Sequence, residues 1–102
     1  MGRLEMLQEH LAEFPEDAFA RYGLAMEYAN AGDNDTALKE FATLLEKNPD
    51  YTAGYFMAAQ TLARVSRVDE AREMLRKGIA SAERTNNAHA RSEMEGMLAE
   101  LA

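Results

Sequence analysis

Residues 25–49 read AMEYANAGDNDTALKEFATLLEKNP. The start of this stretch finishes a helix predicted over residues 18–31. Ala20, Leu24, Ala25, Tyr28 and Ala31 recur there at three and four, the helical period. Asp17 caps its first turn, and Gly32 takes the left-handed turn past its last. The remainder is a second helix over residues 35–47, with Ala37, Leu38, Phe41, Leu44 and Leu45 on one face. Asn48-Pro49 closes it, because the residue before a proline is pushed out of the helical region.

Outward from this pair, the punctuation repeats. The chain has two prolines, Pro15 and Pro49, 34 residues apart in a sequence of 102. A shift of 34 lays Ala25 on Ala59, Tyr28 on Leu62, Asp35 on Asp69, Ala37 on Ala71 and Phe41 on Leu75. Leu11, Leu45 and Ile79 fall in one register. Identity is low, but the matches sit on small and large apolar positions in phase with the prolines. Four further helices are predicted, over residues 3–14, 52–65, 68–84 and 88–101. The first puts Leu4, Leu7, Leu11 and Phe14 on one stripe and Glu5, Glu9 and Glu13 on its back. The fifth is lined by Val68, Ala71, Leu75 and Ile79. The last carries Ala90, Met94, Met97, Leu98 and Leu101. Nothing alternates with period two, so the chain is all-α, with about six helices. Its two-to-five-residue connections make neighbours antiparallel and in contact.

A period of 34 with two helices per unit resembles the tetratricopeptide repeat. The first full unit carries Arg21, Leu24, Ala25, Tyr28, Ala37, Phe41 and Pro49 at the positions of that family's pattern. It lacks only the aromatic at the first of these. The second carries Tyr55, Ala58, Ala59, Leu62, Ala71 and Leu75, but Glu83 stands where proline is usual, so the fifth helix is free to run on. The resemblance implies antiparallel helix pairs stacked as a right-handed solenoid in a single domain, residues 1–102. Within it, residues 3–14 are the second helix of a partial repeat. Residues 18–51 and 52–85 are full repeats, and 86–102 are a capping helix or a partial third repeat. Open solenoids need terminal helices with a polar face, and the glutamates of the first and last helices supply one.

Composition removes several function classes. There is no Cys, which excludes disulfide frameworks, thiolate zinc sites and thiol nucleophiles. Eleven basic and 18 acidic residues give a net charge of −7, which argues against nucleic acid and against anionic membrane surfaces. No apolar run approaches the roughly 20 residues that span a bilayer. The acidic residues Glu5 and Glu9 come too early for a secretory signal. A cytoplasmic protein is expected. Only residues 64–84 carry a basic excess, six basic against four acidic. His10 and His89 are too far apart to share a metal and read as bystanders. Asp33, Asp35, Glu16 and Asp17 sit at turns and read as caps. The six glycines are scattered, so no phosphate loop is present, and no Ser–His–Asp grouping emerges. No enzyme activity, metal or cofactor is expected.

The informative surplus is apolar. The second helix has another apolar face at Phe19, Tyr22, Met26 and Ala29. In the family it resembles, this face lines the concave groove. The fourth helix continues it with Phe56, Gln60, Ala63 and Arg64, and Arg67 follows. The sixth would add Ala90, Met94 and Met97. The expectation is a groove with aromatic and methionine walls that receives a peptide or partner helix from another protein. Against this stands ordinary packing of the same residues on neighbouring helices. Tyr22 and Met26 occupy positions where a branch of the family binds C-terminal carboxylates with basic and Asn side chains, so that clamp is not expected. Arg64 and Arg67 are able to pair with an acidic partner residue, though a solvated helix end is the favoured reading of the two. An alternative is a homodimer in which the first and last helices complete each other's units.

Overall fold

The computed structural model describes residues 2–102, so Met1 of the predicted span lies outside the described residues. Six helices follow in order: α1 (Arg3–Glu13), α2 (Ala18–Asn30), α3 (Asn34–Lys47), α4 (Thr52–Arg64), α5 (Val68–Arg84) and α6 (Ala88–Glu100). Every predicted helix is present, with ends that differ by no more than a residue.

The ends have local causes. Asp17 Oδ1 accepts from the Ala20 amide at 3.1 Å, and Asp33 Oδ1 accepts from Thr36 at 3.3 Å. Each satisfies an amide that the first turn leaves free. Gly32, at φ 86°, closes α2 while the Asp33 amide donates to Tyr28 O at 2.9 Å. Ser66, at φ 65°, closes α4 in the same way, with the Arg67 amide donating to Leu62 O at 2.9 Å. These are Schellman turns, and they lie one period apart. Phe14 (φ −125°, ψ 72°) and Asn48 (φ −134°, ψ 75°) end α1 and α3 in non-helical backbone before their prolines.

The fifth helix has no proline to stop it. It runs 17 residues against 14 for α3. It then closes with its own Schellman turn at Asn86, φ 55°, where the Asn87 amide donates to Ala82 O at 2.8 Å. The residues preceding α2, α4 and α6 are Asp17, Tyr51 and Asn87. From 17 to 51 is 34, but from 51 to 87 is 36. The last helix is therefore displaced by two residues in the repeat.

Each helix packs on its neighbours in sequence, and α2–α4 and α4–α6 touch as well. This places α2, α4 and α6 in one layer and α1, α3 and α5 in the other, in a slab 40 × 29 × 19 Å across. Ala25, Ala37, Ala58, Ala59 and Ala71 are fully buried and let the helices approach, while Phe41, Leu44 and Leu75 fill the wider gaps. Burying a side chain of this last size contributes about 2 kcal/mol. Gly54 meets the side chains of Leu44 and Leu45, and Gly78 meets Tyr55 and Met94, so no Cβ fits easily at either.

Three packing expectations are corrected. Phe14 does not join the α1 stripe; it is the residue after the helix, its backbone has left the helical region, and it is 53% exposed. Ala31 is exposed at the end of α2 rather than in the core. Met94 is fully buried between α6 and Gly78 of α5 rather than lining a groove, a result of the two-residue displacement.

Candidate functional site

The layer of α2, α4 and α6 presents one continuous face. On α2, Phe19 stands in the first turn and is 75% exposed, the most exposed large apolar residue described. Tyr22 is half-buried. Its ring is 6.4 Å from Phe41, edge-on at 65°, and 5.3 Å from Tyr51. Burial raises the Tyr22 phenol above its ordinary value. Burial raises Tyr51 too, with smaller contributions from the Tyr22 and Asp17 charges. Met26 is half-buried against the same core. Tyr22 and Met26 are thus partly core, and the rest of each side chain remains accessible.

Ala29 is buried, and Arg64 Nη1 donates to its carbonyl at 3.1 Å. The guanidinium reaches from the end of α4 to the negative end of α2, a favourable placement for a cation. Arg67 pairs with Glu70 in the first turn of α5, Nη2 to Oε1 at 2.9 Å. That hydrogen bond holds the Glu70 carboxyl below its usual range. Both arginines have partners within the chain. Ala63 is half-buried beside them.

Between α4 and α6 lies a furrow of about 410 Å³. Phe56 and Gln60 form its α4 wall; Ser92, Gly96 and Met97 form its α6 wall, with Glu93 and Glu100 on that side as well. Among these α6 residues the sequence analysis identified only Met97. Adding 34 to Phe56 and Gln60 gives Ala90 and Met94; adding 36 gives Ser92 and Gly96. The signals were present in the sequence: no proline at Glu83, and an Asn at position 87 able to cap α6. Asn87 Oδ1 accepts from the Ala90 amide at 3.0 Å.

His10 is not a bystander. Its Nε2 lies 2.7 Å from Asp17 Oδ2, and its ring packs on Phe14 at 5.0 Å. His10 is the main cause of the lowered Asp17 pKa, followed by the Ala20 amide. The pair ties the last turn of α1 to the cap of α2. His89 is exposed, 3.3 Å from Glu93. Among the described residues, no group of three His, Asp or Glu side chains is arranged to hold a metal. No described helix is long and apolar enough to cross a membrane.

A family model described as Tetratricopeptide repeat matches residues 1–55. The chain is 29% identical over 98 residues to a TPR repeat-containing protein of Pseudomonas aeruginosa, covering 96% of this chain and 93% of that one. Among solved structures, a tetratricopeptide repeat domain protein from Salinibacter ruber superposes with a TM-score of 0.81 at 31% identity, over 85% of this chain and 88% of that one. YrrB, a TPR protein with an unusual peptide-binding site, superposes with a TM-score of 0.79 at 28% identity, over 91% of this chain and 46% of that one.

Proposed function

The chain belongs to the tetratricopeptide repeat family, and from that we propose that it is a non-catalytic protein–protein interaction module whose inner face receives a peptide or partner helix. The observation that carries this is the apolar surplus on α2 and α4. Phe19 is 75% exposed, and the core does not need it. Tyr22 and Met26 follow it at helical spacing on α2, and Phe56 takes the place in α4 that Tyr22 has in α2, 34 residues earlier; all three are half-buried. An exposed apolar cluster of this kind marks an interaction site, and aromatic and Met side chains dominate such interfaces. The peptide-binding site of YrrB supports the same use of a related fold. The repeat division that goes with this reading is 18–51 and 52–85, flanked by 3–14 and 86–102.

Phe19→Ala combined with Phe56→Ala is the test. Proteins captured by the wild-type chain should be lost from the variant, while far-UV circular dichroism stays that of a helical protein. Undiminished capture by a folded variant rules the face out. Tyr22→Ala is a poorer probe, since its ring also supports Tyr51 and Phe41.

Homodimerisation through the end helices ranks second. The outer residues of α1 include Glu5, Glu9 and Glu13, and those of α6 include Glu95, all exposed. Joining those surfaces sets like charges together, which costs energy. Sedimentation should find a monomer at low micromolar concentration; a dimer would promote this second reading.

A further inference from the structure

Gly96 is the ninth of 13 residues in α6. A glycine inside a helix is destabilising relative to alanine. Gly54 and Gly78 have a packing reason for their lack of a side chain: a Cβ on Gly54 would meet Leu45 at 3.0 Å, and one on Gly78 would meet Tyr55 at 2.7 Å. A Cβ on Gly23 would make ordinary contact with Leu7 at 3.6 Å, so that glycine sits against a packed neighbour. A Cβ on Gly96 would meet nothing within 4 Å. The chain itself gives no packing reason for glycine here. Gly96 lies in the α6 wall of the furrow next to Met97, with Phe56 on the α4 wall. A position kept bare against open space, beside two large apolar groups, suits the close approach of another backbone.

The charges of the furrow have one sign. Its two ionisable lining residues are Glu93 and Glu100. Glu100 forms no ion pair with a described residue, and the partner of Glu93 is His89. Arg64 is engaged with Ala29 O, and Arg91 reaches Glu95 at 3.4 Å. The net charge of −7 adds a field that draws in cations and turns acidic segments away. The two furrow carboxylates are seven helical steps apart, about 10 Å along the axis.

We propose that the furrow between α4 and α6 binds an apolar, basic peptide segment. Its backbone crosses α6 at Gly96, an apolar side chain seats between Phe56 and Met97, and Lys or Arg side chains meet Glu93 and Glu100. The proposal rests on the inner-face reading above and narrows it to one partner chemistry.

The test uses three fluorescein-labelled 12-residue peptides, built from leucine and lysine, leucine and glutamate, or serine and glutamine. Binding to the full chain is followed by anisotropy. The leucine–lysine peptide should bind at least about tenfold tighter than the leucine–glutamate one. Gly96→Leu and Phe56→Ala should each weaken it about tenfold. Glu93→Gln and Glu100→Gln should each weaken it roughly threefold, as exposed pairs do. Gly96→Leu points into open space, so its melting temperature should not fall. If the leucine–lysine peptide binds Gly96→Leu as well as wild type, its attraction is surface charge alone and the proposal is overturned. If the leucine–glutamate peptide binds equally or better and Phe56→Ala abolishes this, the inner face is a binding site but the basic-partner assignment is wrong. Binding of none of the three overturns both.

Discussion

Arg21 of α2 donates from Nη1 to Glu40 Oε1 of α3 at 2.7 Å, and from Nη2 to Pro15 O at 3.2 Å. Arg21 occupies the pattern position where the family usually has an aromatic residue. Its side chain is 16% exposed and that of Glu40 23%. The aliphatic stem fills space that a ring would take, and the head makes charge-assisted hydrogen bonds between helices. Removing one partner leaves the other partly buried and unpaired. Glu40→Ala should therefore lower unfolding free energy by about 1–3 kcal/mol. Urea denaturation measures this, and a double-mutant cycle with Arg21→Ala should show positive coupling between the two.

Ser66 occupies the place in α4 that Gly32 has in α2, at φ 65° against 86°. An L-residue in the left-handed region costs roughly 1–2 kcal/mol, against about 0.4–1 kcal/mol for the extra unfolded-state freedom of glycine. Ser66→Gly should stabilise the protein by about 0.5–1 kcal/mol. Gly32→Ala should destabilise it. Denaturation midpoints of both variants check the pair, and the idea fails if their signs match.

Gly78 and Gly96 have the same helical propensity but opposite surroundings. Gly78→Ala drives a methyl into Tyr55, whose Cβ would lie 2.7 Å away, and into the Met94 thioether. Overpacking of this kind costs about 1–3 kcal/mol. Gly96→Ala should gain about 0.8–1 kcal/mol. Thermal melts of the two variants should move in opposite directions.

Two pH ranges follow from the shifted groups. The Asp17 carboxyl titrates below its usual 3.8 because His10 and the Ala20 amide favour its charged form. Its contribution to stability is present above 3.8 and is lost as pH falls through the lowered value. Asp17→Asn should flatten the acid limb of a stability–pH curve. Burial raises Tyr22, Tyr51 and Tyr55 above 10.0. Their contribution is intact below 10.0 and is lost as pH rises through the raised values. Tyr22→Phe should make the alkaline limb shallower.

Local rules made much of this molecule legible in the sequence. Pro15 and Pro49 end helices wherever they stand, Gly32 takes a positive φ, and Asp17 and Asp33 cap the turns that follow them. Such effects act within four residues and depend on no distant contact. The small–large alternation from Ala25 to Leu75 also settled which faces pack, since close approach requires small side chains. Only the tertiary structure decided which side chains of the inner layer face one another. With no proline at Glu83, α5 runs to Arg84 and turns at Asn86, and α6 meets its neighbours two residues out of period. That buries Met94 and turns Ser92 and Gly96 toward Phe56 and Gln60. It also decided that Arg64 spends its charge on Ala29 O and that His10 holds Asp17. The first of these contacts joins two helices and the second joins a helix to the cap of the next, and their geometry follows from how the helices pack.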